Sequence, residues 1–211
     1  MPNMTGHITL LGDSIFDNGV YVPGGPSVIE HLRRILPTGW QATLIAVDGA
    51  TVSSVFRQLE RIPSGTTHLV LSVGGNDALW MAGSLFASKT SDVRQSLQRL
   101  SAAGEEFQYE YRKLMGELRE LRLPLAICTI YDAIPGLDSA EIAGLCVFND
   151  FITRTAFKTA STLVDLRLIC NEASDYSAVS PIEPSASGGG KIARAIVSAA
   201  MHSEPTCRVI A

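Results

Sequence analysis

The sequence predicts an α/β fold, a three-layer αβα sandwich on a five-stranded parallel sheet. Short apolar runs alternate with longer segments of helical periodicity, the pattern of successive βαβ units. The runs are apolar throughout rather than alternating, as strands covered on both faces are. Right-handed crossovers leave the flavodoxin-like order 2-1-3-4-5 as the economical arrangement of five such strands. The 211 residues, 46% of them apolar and 18% charged, suit one domain over residues 1–211, and no linker interrupts them.

Each element has its own signal. The first strand is residues 7–11 (HITLL), closed by Gly12. Residues 26–36 have apolar positions at helical spacing behind a Pro in the first turn. The second strand is residues 42–47 (ATLIAV); the helix at 51–62 opens on Thr51 and sets Val52, Val55, Phe56 and Leu59 on one face. The third strand is residues 68–73 (HLVLSV), followed by a Gly-Gly turn and an apolar segment at 78–88. A long helical pattern covers 91–121, with Gly104 as its candidate break. The fourth strand (123–129), a helix (139–160), the fifth strand (162–166) and a last helix (190–201) complete the chain.

Composition excludes several classes of function. A net charge of −4, with no run of Lys or Arg to follow a phosphate backbone, argues against nucleic acid. No stretch approaches the ~18 consecutive apolar residues of a membrane span. The N-terminus carries no basic leader signal, so a cytoplasmic location is expected. Cys128, Cys146, Cys170 and Cys207 lack CxxC spacing and read as reduced thiols, not as a zinc site or disulfide framework. No cofactor is expected.

Ligands of such sheets bind beyond the carboxyl ends of the strands, at the switch point beside strand 1. Strand 1 ends in Gly12-Asp13-Ser14-Ile15-Phe16-Asp17-Asn18, strand 2 in Asp48-Gly49-Ala50 and strand 3 in Gly74-Gly75-Asn76-Asp77. Three neighbouring strand ends thus bring together a Ser hydroxyl, a Gly backbone N–H and an Asn amide. A nucleophile and uncharged donors aimed at a developing oxyanion are the parts of an acyl-transfer site.

These segments, GDSIFDN, Gly49 and GGND, resemble the first three sequence blocks of the GDSL or SGNH hydrolases, in the family's order. The resemblance implies an SGNH hydrolase fold and a serine hydrolase of a small-molecule ester or acetyl group. It makes Ser14 the nucleophile, and the Ser14 N–H, the Gly49 N–H and the Asn76 side chain the oxyanion hole.

The last block departs from the family. Where Asp-x-x-His would supply the base and its orienting carboxylate, this chain reads Ser180-Pro181-Ile182-Glu183-Pro184, with Glu183 in the His position and Ser180 in the Asp position. His7 and His68 open their strands, about 20 Å from the crevice at ~3.3 Å per residue, and His202 lies at the far end of the last helix. His31 reads first as a partly exposed helical histidine and stays open as a substitute base.

Two readings follow. In one, Glu183 is the general base, acting directly or through a water. Its pKa must then be raised by burial or by a neighbouring carboxylate, for which Asp13, Asp17, Asp77 and Asp175 are candidates. In the other, proton transfer is lost and the chain is an acyl-group binding protein with an impaired site. Trp80 and Phe86, with Met81 and Leu85, are candidates for the wall of the substrate pocket or for a lid over it, and Ile134, Pro135 and Leu137 for a further wall; residues 21–25 are a candidate rim.

Overall fold

Along β1 (Gly6–Gly12), Ile8 and Leu10 are buried on one side of the sheet and Leu11 on the other. The same division recurs on the next strands: Val70 opposes Leu69 and Leu71 on β3 (His68–Ser72), and Ala126 and Cys128 oppose Ile127 on β4 (Leu125–Cys128). A sheet apolar on both faces needs a layer of helices on each, and the chain supplies them. The structure is a computed structural model describing residues 5–87 and 89–201. With β2 (Trp40–Leu44) and β5 (Thr162–Val164), the strands form one parallel sheet in the order β2-β1-β3-β4-β5, as expected.

Helices α1 (Val28–Ile35) and α7 (Ala186–Met201) cover one face, where Leu32 and Ile192 join Ile8 and Leu10. Helices α2 (Val52–Leu59), α3 (Gly75–Ala87), α4 (Val93–Glu120) and α5 (Ser139–Thr159) supply the other, where Val55, Met81, Leu114 and Ile152 meet Leu69 and Leu71. Helix α1 starts in a capping box in which the Ser27 N–H donates to Glu30 at 2.8 Å; Asp138 caps α5 by accepting from the Ala140 and Glu141 N–H groups.

Several expectations need correction. Helix α4 runs through Gly104 without a break, because a bare backbone is needed there for contact with α5: a Cβ would lie 2.7 Å from Val147 Cγ1. Gly75, Asn76 and Asp77 form the first turn of α3 rather than a loop, and the apolar segment after them continues that helix. Helix α7 begins at Ala186, so the Gly188-Gly189-Gly190 triplet is helical; a Cβ on Gly188 would meet the Asp175 carbonyl oxygen at 2.2 Å. The fifth strand stops at Val164, since Asp165 caps the short helix α6 (Leu166–Ile169) by accepting from the Arg167 N–H. Among the described residues no helix is long and apolar enough to cross a membrane. Cys128 and Cys170 are buried free thiols and Cys146 is an exposed one, whereas Cys207 lies outside the described residues.

Candidate active site

The turn after β1 is set by a close approach. Gly12 has φ +124, and a Cβ there would stand 1.7 Å from the Ser72 carbonyl oxygen at the end of β3. Gln58 of α2, buried, reads both backbone groups of Gly12: its Nε2 donates to the Gly12 carbonyl and its Oε1 accepts from the Gly12 N–H, each at 2.8 Å. The Asp13 carboxyl accepts from the Ile15 N–H at 3.1 Å, curling the chain so that Ser14 comes to the end of the sheet. Ser14 is 6% exposed and faces a cavity of about 460 Å³.

The second turn brings Gly49. Its φ of +74 lies in the left-handed region, and a Cβ would meet nothing within 4 Å, so glycine is required by conformation rather than by space. The N–H groups on either side of it are taken, that of Asp48 by Asp17 and that of Ala50 by the Val47 carbonyl. Among the described residues no hydrogen bond occupies the Gly49 N–H or the Ser14 N–H. Asn76, in the first turn of α3, donates through Nδ2 to the Ala50 carbonyl at 3.0 Å. That bond orients the amide and leaves its second hydrogen for the cavity, which Asn76 lines beside Ser14. Gly49 is not part of the cavity wall; the Asn76–Ala50 bond is what ties its loop to the site.

Glu183 arrives on a tightly bonded loop. The Glu183 N–H donates to the Ser180 carbonyl and the Glu183 carbonyl accepts from the Ser177 N–H. On either side, the Tyr131 hydroxyl donates to the Ile182 carbonyl and Asn18 Nδ2 to the Pro184 carbonyl at 3.0 Å. The carboxyl group is therefore held from both sides and is 4% exposed in the wall of the same cavity. Burial raises its pKa above the ordinary carboxylate range; hydrogen bonds from the Ser180 and Ser14 hydroxyls pull it back down, and the Asp48 charge raises it further. The Ser180 Oγ donates to Glu183 Oε2 at 2.9 Å.

The other carboxylates have separate places. Burial pushes Asp13 up to about 8, with Asp77 and Glu183 adding to the rise, so it is mostly protonated at neutral pH. Asp77 accepts from the Val52 N–H and caps α2, Asp17 accepts from the Asp48 N–H, and Asp175 is buried against Lys191 at 2.8 Å. The histidines are engaged elsewhere. His31 Nε2 donates to the Ala186 carbonyl at 2.8 Å, tethering α1 to α7, and is not in the cavity wall. The His7 ring is bonded to Thr43 and the His68 ring to Thr67, while His202 lies outside the described residues.

In the pocket, Leu85, Ile134 and Leu137 line the cavity as expected. Trp80 does not: it is 71% exposed on the outer side of α3, whose cavity-facing residues include Leu79 and Ala82 instead. Met81 is packed in the core, and the Phe86 side chain lies outside the described part of α3.

No family model matches the sequence, and comparison with curated proteins finds no match. Solved structures do match. An extracellular lipase from Streptomyces rimosus is 19% identical, with 93% of this chain and 100% of that one covered at a TM-score of 0.69. A phospholipase A1 from Streptomyces albidoflavus is 16% identical over 93% and 100% of the two chains, at a TM-score of 0.64. A catalytic mutant of an acetylxylan esterase from Geobacillus stearothermophilus, in which a histidine is replaced by alanine, is 18% identical over 95% and 97%, at a TM-score of 0.66. The fold is that of the SGNH hydrolases.

Within this SGNH fold, two supports of the site escape a motif reading. Gln58 left a signal, a polar residue on the apolar stripe of α2. Asn18 ends the GDSIFDN segment, but its roles are long-range: it donates to Pro184 and accepts from the Val28 N–H at 2.9 Å, joining the Ser14 turn, the Glu183 loop and the start of α1.

Proposed function

We propose that the protein is a serine hydrolase of small-molecule esters, with Ser14 as nucleophile and Glu183 as general base. The observation that carries this reading is that Ser14 and Glu183 line the wall of the same cavity, with the Ser14 hydroxyl near enough to the Glu183 carboxylate to draw its pKa down. The Ser14 Oγ attacks the ester carbonyl carbon as Glu183 takes its proton. The oxyanion is met by the N–H groups of Ser14 and Gly49 and by the second amide hydrogen of Asn76. As the intermediate collapses, the protonated Glu183 gives its proton to the leaving alkoxide. A water then repeats the sequence on the acyl-serine, releasing the acid.

The carboxylate base accounts for Ser180. A histidine base must have its tautomer held by an acceptor, which is why it is paired with a carboxylate. A glutamate has only lone pairs to offer, so the group that orients it must donate. The Ser180 hydroxyl does so. The two departures from the Asp-x-x-His pattern are thus one change, an orienting hydrogen bond whose direction is reversed. The ester and lipid activities named for the structural neighbours support the same reaction class.

The test is hydrolysis of p-nitrophenyl esters together with labelling by a fluorophosphonate. Ser14→Ala is expected to abolish labelling and reduce turnover by at least about a thousandfold, and Glu183→Gln to reduce it by about a hundredfold or more. Equal turnover by the wild type and Ser14→Ala sinks the mechanism. A wild type that neither labels nor turns over puts the reading as an acyl-group binding protein ahead.

A further inference from the structure

We infer that the cavity beside Ser14 is an acyl-chain pocket, and that the ester carries an acyl chain of medium length rather than an acetyl group; the inference rests on the reaction proposed above. Its volume is about 460 Å³. A water molecule occupies roughly 30 Å³ of liquid, so an acetyl methyl group would leave most of that space to be filled with water against hydrocarbon. Ser14, Asn76 and Glu183 are all in its wall, so an acyl carbon placed for attack starts its chain inside. From there the space is bounded by Ala78, Ala82 and Leu85 of α3 and by Gly144 and Phe148 of α5.

The charged groups in the wall do not favour a polar occupant. Glu141 is engaged in the α5 cap, where it accepts from the Asp138 N–H at 2.8 Å, and on the α4 side Thr90 and Ser96 are bonded to each other at 2.8 Å, which leaves Arg99 as the charged side chain there. A sugar ester would need a dense set of donors and acceptors around its hydroxyls. Beyond Asn76 and Glu141, α3 and α5 offer the cavity methyl, methylene and ring carbons from Ala78, Leu79, Ala82, Leu85, Leu145 and Phe148. Small side chains at Ala82 and Gly144 keep it open: a Cβ on Gly144 would meet nothing within 4 Å.

Each buried methylene contributes about 0.8 kcal/mol, or roughly a fourfold gain in kcat/KM, until the pocket is full. p-Nitrophenyl octanoate, with six more methylenes, is therefore expected to exceed the acetate by up to on the order of a thousandfold. Gly144→Phe, whose Cβ meets nothing within 4 Å and which gains helix propensity, should lower the octanoate-to-acetate ratio about tenfold; Ala82→Leu should lower it less. Binding of decanoate to the Ser14→Ala protein, read by calorimetry, provides a measure independent of catalysis. It should be detectable where acetate is not, and should be lost on adding Gly144→Phe. A flat or falling chain-length profile in a protein whose Ser14 is labelled overturns the inference and leaves the hydrolase reading standing. Decanoate binding without turnover or labelling does the reverse, and absence of decanoate binding overturns the inference whatever the turnover.

Discussion

Asp13 is the residue whose environment differs most from what a motif suggests. It sits beside Ser14, yet burial holds it mostly neutral at pH 7, with a pKa of about 8 against an ordinary ~3.9. Glu183 can then be the one anionic carboxylate next to Ser14. Activity is expected to rise above the usual carboxylate range as Glu183 ionises, and to fall near pH 8 as a second charge appears beside the developing oxyanion. A folded pKa above the unfolded one means that the folded chain binds the extra proton. Asp13 should therefore lower stability as pH rises from about 4 to about 8, and level off above that. Asp13→Asn keeps the acceptor for the Ile15 N–H. It should remove the alkaline fall in a pH–rate profile and raise Tm at pH 8 more than at pH 5. An unchanged alkaline limb would mean that another group titrates there.

Glu183 and Ser180 make a second prediction at this scale. If orienter and base are matched by hydrogen-bond direction, Glu183→His alone pairs a histidine with a Ser180 hydroxyl that fixes neither tautomer nor charge. The double variant Ser180→Asp with Glu183→His should be faster than either single change, and its rising pH limb should move toward the histidine range near 6.5. Strict additivity in the kinetic cycle would count against the coupling.

Helix α4 shows how propensity and packing oppose each other within one element. Gly104 and Gly116 are both interior to a helix where Ala is favoured by about 1 kcal/mol. At Gly116 a Cβ meets open space, so Gly116→Ala should raise Tm by a few degrees. At Gly104 the same methyl would stand 2.7 Å from Val147 and 2.8 Å from Phe151, and overpacking of about 1–3 kcal/mol outweighs the propensity gain. Gly104→Ala should therefore lower Tm, as a thermal melt would show. The rule that a glycine breaks a helix fails here because its missing side chain is the contact surface for α5.

At the scale of the whole molecule, the strand order and both helical layers were legible because parallel strands covered on both faces leave continuous apolar runs, and crossover handedness prunes the topologies. The turns carrying Ser14, Gly49 and Asn76 were legible for a related reason: each follows its strand directly, so order along the chain translates into proximity. That Glu183 reaches the cavity of Ser14 is legible only through the family resemblance, since no local signal says that residue 183 returns to the end of β1. Its fixing by Asn18 and Tyr131 spans 166 and 51 residues, which periodicity does not report. Trp80 lies outside the cavity wall for the opposite reason. Nearness in sequence to Asn76 suggested a pocket wall, but on a helix it decides only the turn, not the face.

Helix α3 has Asn76 in its first turn, with Ala78, Ala82 and Leu85 following along the cavity. One rigid rod thus holds both the Asn76 amide, the proposed oxyanion donor, and the surface that a substrate tail would press against. Any tilt of that rod moves donor and wall together, so the fit of the tail and the aim of the amide are not independent quantities. A longer tail should then appear in kcat as well as KM, because part of its grip is realised only when the carbonyl oxygen has moved to where Asn76 is aimed.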